Sequence, residues 1–248
     1  MLSFVDPAGK EVLSALGIMS CEDAILFRAG ELVREMPGRE TWRVDSSAGV
    51  LFLKKHLHSS LGTRWLRPSP ARSEFQRHLE LQELGFSVPP VIGCGEMPGR
   101  FGSLAASFLL TKSAGDRTLL SQLQGGHHPP RSWWLELAVE LRRFHDAGFF
   151  HRDFYANHLH LADQQDWGRP CMIDLQRVVR RNSPRRRWLV KDLAALHCSC
   201  RDFLKEERHH EFLLRYLGKD LADSESDWWR QQILRKSKAI ASHVPLYP

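Results

Sequence analysis

Two aspartates carry the clearest chemical signal in the sequence. Asp153 closes the triplet His151-Arg152-Asp153, and Asp174 follows a short apolar segment that ends at Ile173. This order is typical of enzymes that transfer a phosphoryl group, in which one carboxylate accepts the proton of the acceptor hydroxyl and another binds magnesium. Such chemistry requires positioned charges rather than a covalent intermediate. The sequence therefore predicts Asp153 as the catalytic residue and Asp174 as a magnesium ligand.

A hairpin would bring the two carboxylates together. Between them the chain has room for a loop, a short strand, a turn at 163–168 and a second strand at 170–173. The amphipathic pattern at 131–147 predicts a long helix before this hairpin, and Gly148 would end that helix and lead the chain into the catalytic loop.

An earlier hairpin ends on two lysines. T-W-R-V-D and V-L-F-L-K-K-H alternate as strands do, with a turn at 46–49. Alternation places Phe52 and Lys54 on one face, so Lys54 rather than Lys55 is expected to reach the phosphates of a nucleotide. The alternative is that both lysines form a solvated strand end.

An amphipathic helix follows the basic loop at 58–70 and ends near Gly85, with Phe75, Leu79 and Leu84 on its apolar side. Glu74 lies in its first turn. It is expected to pair with Lys54 and hold that side chain toward the phosphates. Alternatively, it only complements the helix dipole.

A strand at 103–111 runs into a polar segment that would connect two lobes. Backbone groups at 109–112, around Leu110, are expected to bind the adenine ring of the nucleotide. This expectation depends on position along the chain alone.

A run of arginines follows Asp174. A guanidinium binds carboxylates and phosphates in a bidentate manner, so these residues are expected to bind an anionic acceptor. A solvated charge run and a nucleic-acid site are the alternatives. The predicted acceptor-binding residues are Arg177, Arg180, Arg181, Arg185, Arg186 and Arg187.

Composition sets broad limits on the protein. The 248 residues are 42% apolar and 26% charged, which is enough for one large domain or two small lobes with a substantial core. The net charge of +6 suggests an anionic partner such as nucleic acid, a membrane surface or a phosphorylated sugar. Five cysteines without C-x-x-C spacing favour reduced thiols in the cytoplasm. Neither a signal peptide nor a membrane-spanning run is recognisable, so any membrane contact is expected to be peripheral.

The motifs H-R-D-F-Y-A-N-H-L-H-L, M-I-D-L-Q-R and P-R-R-R-W-L-V-K-D-L-A-A-L, in this order, resemble the lipopolysaccharide core kinases of Gram-negative bacteria. These are the heptose and Kdo kinases, and the heptose I kinase branch is the most similar. The resemblance covers roughly residues 36–200. It implies a protein-kinase-like fold and ATP- and Mg²⁺-dependent phosphorylation of a sugar hydroxyl in the inner core, on the cytoplasmic side of the inner membrane.

The resemblance also implies roles for individual residues. Asp192, with His151, resembles the residues that support the catalytic loop. His158 occupies the place of the metal-binding asparagine of protein kinases, and Asn157 is the alternative. The chain has no G-x-G-x-x-G near 30–45 and no A-P-E after Asp174, and both absences argue against a protein kinase.

The expected architecture is a two-lobed α+β fold, with a small β-rich N-lobe at 1–112 and a mainly helical C-lobe at 113–248. The expected partner is an anionic lipopolysaccharide core precursor rather than nucleic acid. Trp228 and Trp229, with nearby cations, would form either a membrane-surface edge or ordinary helix packing. Two other functions stay open: a kinase of another small hydroxylated acceptor, similar to aminoglycoside or choline phosphotransferases, and a non-catalytic lipopolysaccharide-binding scaffold.

Overall fold

A computed structural model describes residues 2–4, 7–58, 68–100, 103–161, 167–183, 185–218 and 223–242. The chain divides into two compact units, Met1–Ala114 and Gly115–Pro248. The first unit is built mainly of strands and the second mainly of helices, so the α+β class expected from the sequence is confirmed. Most of the predicted basic loop and most of the predicted turn at 163–168 lie outside the described residues.

One antiparallel sheet forms the centre of the first unit. Its strands are β1 (Leu2–Phe4), β2 (Glu31–Met36), β3 (Arg39–Ser46), β4 (Gly49–Leu57), β5 (Val91–Pro98) and β6 (Leu104–Lys112). Their spatial order is β1-β5-β6-β4-β3-β2. The predicted lysine-bearing hairpin is β3 and β4. Its turn ends at Gly49, whose φ of 97° favours glycine.

The two faces of this sheet carry different helices. Leu51 and Leu53 of β4 belong to a core that includes residues of α1 (Pro7–Ala15) and α2 (Cys21–Leu26). A second core joins β5 and β6 to α3 (Pro70–Glu83). Because side chains alternate along a strand, successive residues of β4 face different helices.

The helix α3 is the predicted amphipathic helix that carries Glu74. Its N-cap is Ser69, whose hydroxyl accepts a hydrogen bond of 2.9 Å from the backbone N–H of Arg72. Phe75 and Leu79 pack into the core as predicted. The prediction for Leu84 was wrong, because this residue lies beyond the helix as its C-cap and is 42% exposed.

Helices dominate the second unit. They are α4 (Leu119–Gln124), α5 (Arg131–Asp146), α6 (Arg186–Cys200), α7 (Glu206–Leu217) and α8 (Asp223–Ala241). The predicted apolar stripe of α5, which includes Trp134, Leu141 and Phe144, is fully buried. The helix α5 packs on α7, and α6 packs on α8. No helix among the described residues is long and apolar enough to cross a lipid bilayer.

Two short strand pairs position the chemically interesting residues of the second unit. β7 (Phe149–Phe150) pairs with β10 (Val179–Arg180), and β8 (Leu159–His160) pairs with β9 (Cys171–Met172). The triplet ending at Asp153 lies between β7 and β8, and Asp174 follows β9. This is the hairpin predicted from the sequence, with a second strand shorter than expected.

Candidate active site

Lys54 and Glu74 form an ion pair inside the first unit. The Lys54 Nζ lies 2.5 Å from the Glu74 Oε1, and the Glu74 side chain is fully buried. Burial by itself would raise the pKa of Glu74, but the ammonium of Lys54, helped by His78, outweighs burial and holds this pKa below its ordinary value. Glu74 is therefore ionised at neutral pH and fixes Lys54. The role of this pair in binding phosphates stays a prediction.

Lys55 lies on the other face of β4 and has a structural role. Its Nζ donates to the backbone carbonyls of Phe27, at 2.5 Å, and Ile25, at 3.2 Å, at the C-terminal end of α2. Burial, with the nearby charge of Arg28, lowers the pKa of Lys55 to about 8. An ammonium group at this position satisfies carbonyls that the helix leaves unpaired. Alternation therefore separates Lys55 from Lys54, as the sequence suggested.

Leu110 is a core residue, and the expected contact of backbone groups around it with an adenine ring stays a prediction. It lies within β6, in register with Leu53 of β4 and Gly93 of β5. Its side chain is fully buried in the core shared with α1 and α2. The side chain of Leu110 is therefore not available to a ligand, and the prediction concerns only backbone groups at 109–112.

Asp192 of α6 holds the backbone of the loop that carries Asp153. Its carboxylate accepts hydrogen bonds from the backbone N–H groups of His151, at 2.8 Å, and Arg152, at 2.6 Å. The same fully buried carboxylate lies 3.1 Å from the His145 Nε2, while the His145 Nδ1 lies 2.8 Å from the Tyr216 hydroxyl. The His151 Nε2 donates to the carbonyl of Ile173, just before Asp174, at 3.0 Å. These contacts are those expected of residues that support the loop.

The carboxylate of Asp153 is held by two cations. The Arg177 Nη1 donates to Asp153 Oδ1 at 2.9 Å, and the Lys191 Nζ lies 3.5 Å from the same oxygen. Burial lowers the pKa of Lys191, and the Asp153 carboxylate partly opposes this shift. From the sequence, Arg177 was expected to bind the acceptor, and Lys191 was the last cation of the same basic run. The contact of Lys191 with Asp153 was not predicted, because it depends on how α6 packs against the loop.

His158 is oriented toward Asp174. The Nδ1 of His158 lies 2.8 Å from the carbonyl oxygen of Asp153, and a carbonyl can only accept, so Nδ1 carries the hydrogen. The other nitrogen, Nε2, lies 4.0 Å from the Asp174 Oδ2. In the neutral ring this nitrogen keeps its lone pair available. Asn157, the alternative ligand, is exposed on the short 3-10 turn before His158.

Arg152 and Asp174 share an unusual backbone. They have φ values of 70° and 57° and are the two non-glycine residues with positive φ in the described part of the chain. Such conformations cost on the order of 1–3 kcal/mol and concentrate at functional sites. Strain at both ends of the predicted hairpin favours a functional role for this loop region.

The six predicted acceptor-binding arginines do not form one cluster. Arg177 binds Asp153. The guanidinium of Arg180 lies 5.1 Å from the ring centre of Phe149, and those of Arg181 and Arg185 lie over Trp188. Two others, Arg186 and Arg187, line a groove between α6 and α8.

Asp174 supplies a carboxylate of the kind that binds magnesium, and the role of Asp174 and His158 as magnesium ligands stays a prediction. Mg²⁺ typically takes one or two protein carboxylates and completes its shell with waters and substrate phosphates. Among the described residues, no group of three or more His, Cys, Asp or Glu side chains could hold a metal ion, so a protein-only cage is not offered there. A histidine that donates its other N–H to a carbonyl is the usual arrangement of a metal ligand.

Residues 33–232 match the family model described as "Lipopolysaccharide kinase (Kdo/WaaP) family". The lipopolysaccharide core heptose(I) kinase WaaP of Pseudomonas aeruginosa is 30% identical over 81% of this chain and 82% of its own length. The enzyme of the same name from Escherichia coli K12 is 30% identical over 77% of this chain and 79% of its own length. A solved structure of WaaP in complex with acyl carrier protein superposes with a TM-score of 0.73 and 27% identity, over 97% of this chain and 99% of the other.

Proposed function

The chain belongs to the lipopolysaccharide kinase (Kdo/WaaP) family, and we propose that it transfers the γ-phosphoryl group of ATP to a heptose hydroxyl of the lipopolysaccharide inner core. Two heptose(I) kinases that are each 30% identical over most of their length support heptose as the acceptor. The observation that carries the proposal in the structure is the Asp153 carboxylate, oriented by Arg177 next to the His158–Asp174 pair.

Asp153 acts on the acceptor. Its carboxylate orients the acceptor hydroxyl and takes its proton as the oxygen forms a bond to the γ-phosphorus. The bond between this phosphorus and the β–γ bridging oxygen breaks, and ADP leaves. Arg177 and Lys191 hold the carboxylate in one orientation, so little reorganisation is needed during the reaction.

Lys54 and Glu74 serve the nucleotide. The ammonium of Lys54, fixed by the buried Glu74, binds ATP phosphates, and His158 and Asp174 are the residues that would hold Mg²⁺. Mg²⁺ supplies charge neutralisation at the phosphates when it is bound. Asp192 and His151 contribute by fixing the backbone of the loop that carries Asp153.

We place this activity in the cytoplasm, with peripheral contact at the cytoplasmic face of the inner membrane, where a lipid-linked acceptor is accessible. We further propose an acyl carrier protein as a partner, because the structural neighbour that covers 97% of this chain is a complex with such a protein. Co-expression followed by size-exclusion chromatography tests the second statement. Elution of the two proteins as separate species contradicts it.

The function is tested by transfer of labelled phosphate from ATP to a core oligosaccharide whose heptose has been dephosphorylated. We expect transfer by the parent protein and a loss of about a thousandfold or more in Asp153→Ala, since the acceptor then loses its base and its orienting group. The matched control is Asp202→Ala, which removes an exposed carboxylate from the same unit. Equal activity in Asp153→Ala and the parent contradicts the assignment.

The same assay separates the alternatives. No transfer, together with an Mg-ATP-induced rise in the melting temperature, indicates a kinase of another acceptor. No transfer and no such rise indicate a non-catalytic scaffold, because a ligand that binds only the folded state must stabilise it.

A further inference from the structure

A basic groove of about 870 Å³ lies in the second unit between α6 and α8. Its volume is within the range of sites that bind small organic ligands. Cations line both of its walls and it reaches the catalytic loop through Arg152 and Lys191. This cavity is called the α6–α8 groove below. The cations that line it are Arg152, Arg186, Arg187, Lys191, Arg235 and Lys236.

Most of these cations have no acidic partner. Within the described part of the chain, Arg186, Arg187, Arg235 and Lys236 form no ion pair with a carboxylate, and the first turn of α6 contains no acidic residue. The Nε of Arg152 is buried and has no hydrogen-bond partner among the described residues. Like charges gathered at the positive end of a helix destabilise the folded chain. An anionic ligand would remove this repulsion.

Two tryptophans orient the arginines of the groove. The guanidinium of Arg187 lies 5.2 Å from the ring centre of Trp188, and that of Arg186 lies 5.5 Å from that of Trp228. Such cation–π contacts restrict a guanidinium plane without using its N–H donors. The donors therefore stay available for the oxygens of a phosphate, which a guanidinium binds in a bidentate manner.

Lys191 connects the groove to the reaction site. Its Nζ lies 3.5 Å from Asp153 Oδ1, and its side chain also lines the groove. A ligand in the groove thus lies next to the carboxylate that is proposed to act on the acceptor. This continuity favours an acceptor over a ligand with no part in the reaction.

From these observations we infer that the α6–α8 groove binds the phosphate groups of the lipid-linked sugar acceptor, and so sets which acceptors the enzyme accepts. The inference rests on the proposed function and deepens it. The reacting sugar lies at Asp153, and the phosphates of its glycolipid anchor lie along Arg186, Arg187, Arg235 and Lys236. A neutral acceptor would leave these cations without an anionic partner among the described residues.

The test uses the double variant Arg235→Gln/Lys236→Gln on α8, outside the catalytic loop. Its matched control is Lys205→Gln/Lys238→Gln, which removes two charges from exposed positions of the same unit that do not line the groove. Each protein is assayed on two acceptors, both with a free heptose hydroxyl. One retains the two phosphates of its lipid anchor, and the other has lost them.

We expect the groove variant to lower the kcat/KM ratio of the phosphorylated to the dephosphorylated acceptor about tenfold, through KM, while the control keeps the ratio of the parent. The KM for ATP is expected to stay at the parent value in both. An equal change on the two acceptors, or an unchanged ratio, overturns the inference.

A binding assay separates failure of this inference from failure of the proposed function. Phosphatidylcholine vesicles carry either diphosphorylated lipid A or an equal charge of phosphatidylglycerol. The parent is expected to bind the lipid A vesicles more tightly, and the groove variant is expected to lose this preference, whether or not any acceptor is phosphorylated. Equal binding of the parent to both vesicles indicates a general anionic-surface site and contradicts the inference.

Discussion

The loop that carries Asp153 and the α6–α8 groove lie in the same unit, and both are rich in charged residues. They differ in whether those charges are paired with other groups of the protein. In the loop, the buried carboxylate of Asp192 accepts hydrogen bonds from two backbone N–H groups. The carboxylate of Asp153 forms ion pairs with Arg177 and Lys191. In the groove, Arg186, Arg187, Arg235 and Lys236 form no ion pair with a carboxylate within the described residues, whereas Lys191 pairs with Asp153 of the loop. Charges in the first region have protein partners of opposite sign, and these four groove cations have none among the described residues.

The comparison separates two uses of charge. Paired charges fix a geometry before any ligand arrives, which is what a catalytic carboxylate requires. Unpaired charges reduce the stability of the folded chain and make binding of an oppositely charged ligand more favourable. Substitutions in the loop should therefore reduce both stability and catalysis, whereas substitutions in the first turn of α6 should increase stability.

The largest effect is expected at Asp192, where the loop geometry is most directly broken. Asp192→Ala leaves one buried and one partly buried N–H group without an acceptor, so we expect a loss of about 3 kcal/mol in the free energy of unfolding. This corresponds to a fall of roughly 10 °C in the melting temperature. Thermal unfolding measures the stability, and kcat on the heptose acceptor should fall as well. Asp202→Ala, at an exposed position, should leave both near the parent values.

An intermediate effect is expected at Lys191, which belongs to both regions. Lys191→Met should lower kcat by about tenfold to a hundredfold, with little change in the melting temperature, because it removes a cation beside Asp153. Lys191→Arg should restore most of the activity. Exposed Lys205 provides the control as Lys205→Met.

The pH profile distinguishes a charge effect from a packing effect at Lys191. The lowered pKa of Lys191 means that its ammonium loses its proton at a lower pH than an ordinary lysine, and kcat should fall there. In Lys191→Arg the side chain should stay charged at that pH, so the fall of kcat should occur at a higher pH. Identical alkaline limbs in the parent and Lys191→Arg contradict a role for the charge.

The smallest effect is expected at Arg185, where a substitution should increase the free energy of unfolding. Arg185 is the N-cap of α6, has an extended backbone and makes no capping hydrogen bond. Arg185→Ser should supply this bond and remove a positive charge from the positive end of the helix. We expect a gain of about 1 kcal/mol and a rise of roughly 3 °C in the melting temperature. Arg201→Ser, at the opposite end of the same helix, should lower stability slightly. A lower melting temperature for Arg185→Ser contradicts the comparison.

Residue order along the chain was enough to predict the local parts of the site. The triplet ending at Asp153 and the apolar segment before Asp174 predicted the short hairpin, because such elements depend on neighbours in sequence. Strand alternation separated Lys54 from Lys55, since adjacent side chains on a strand face opposite sides.

Contacts between distant elements could not be read in this way. Burial of the Leu110 side chain follows from the pairing of β6 with both β4 and β5, which the local sequence does not reveal. Lys191 reaches Asp153 only because α6 packs beneath the catalytic loop. The groove requires that α6 lie against α8, which no periodicity within either helix reveals.

The core shared by the sheet and its N-terminal helices determines an order of events during synthesis. Leu13 and Ala24 emerge early from the ribosome, but Phe108 and Leu110, with which they share a core, follow more than eighty residues later. At roughly 5–20 residues per second, the apolar faces of α1 and α2 remain uncovered for several seconds. Nascent chains of intermediate length are therefore expected to be clients of ribosome-associated chaperones, and the first unit completes its core only after β6 has been made.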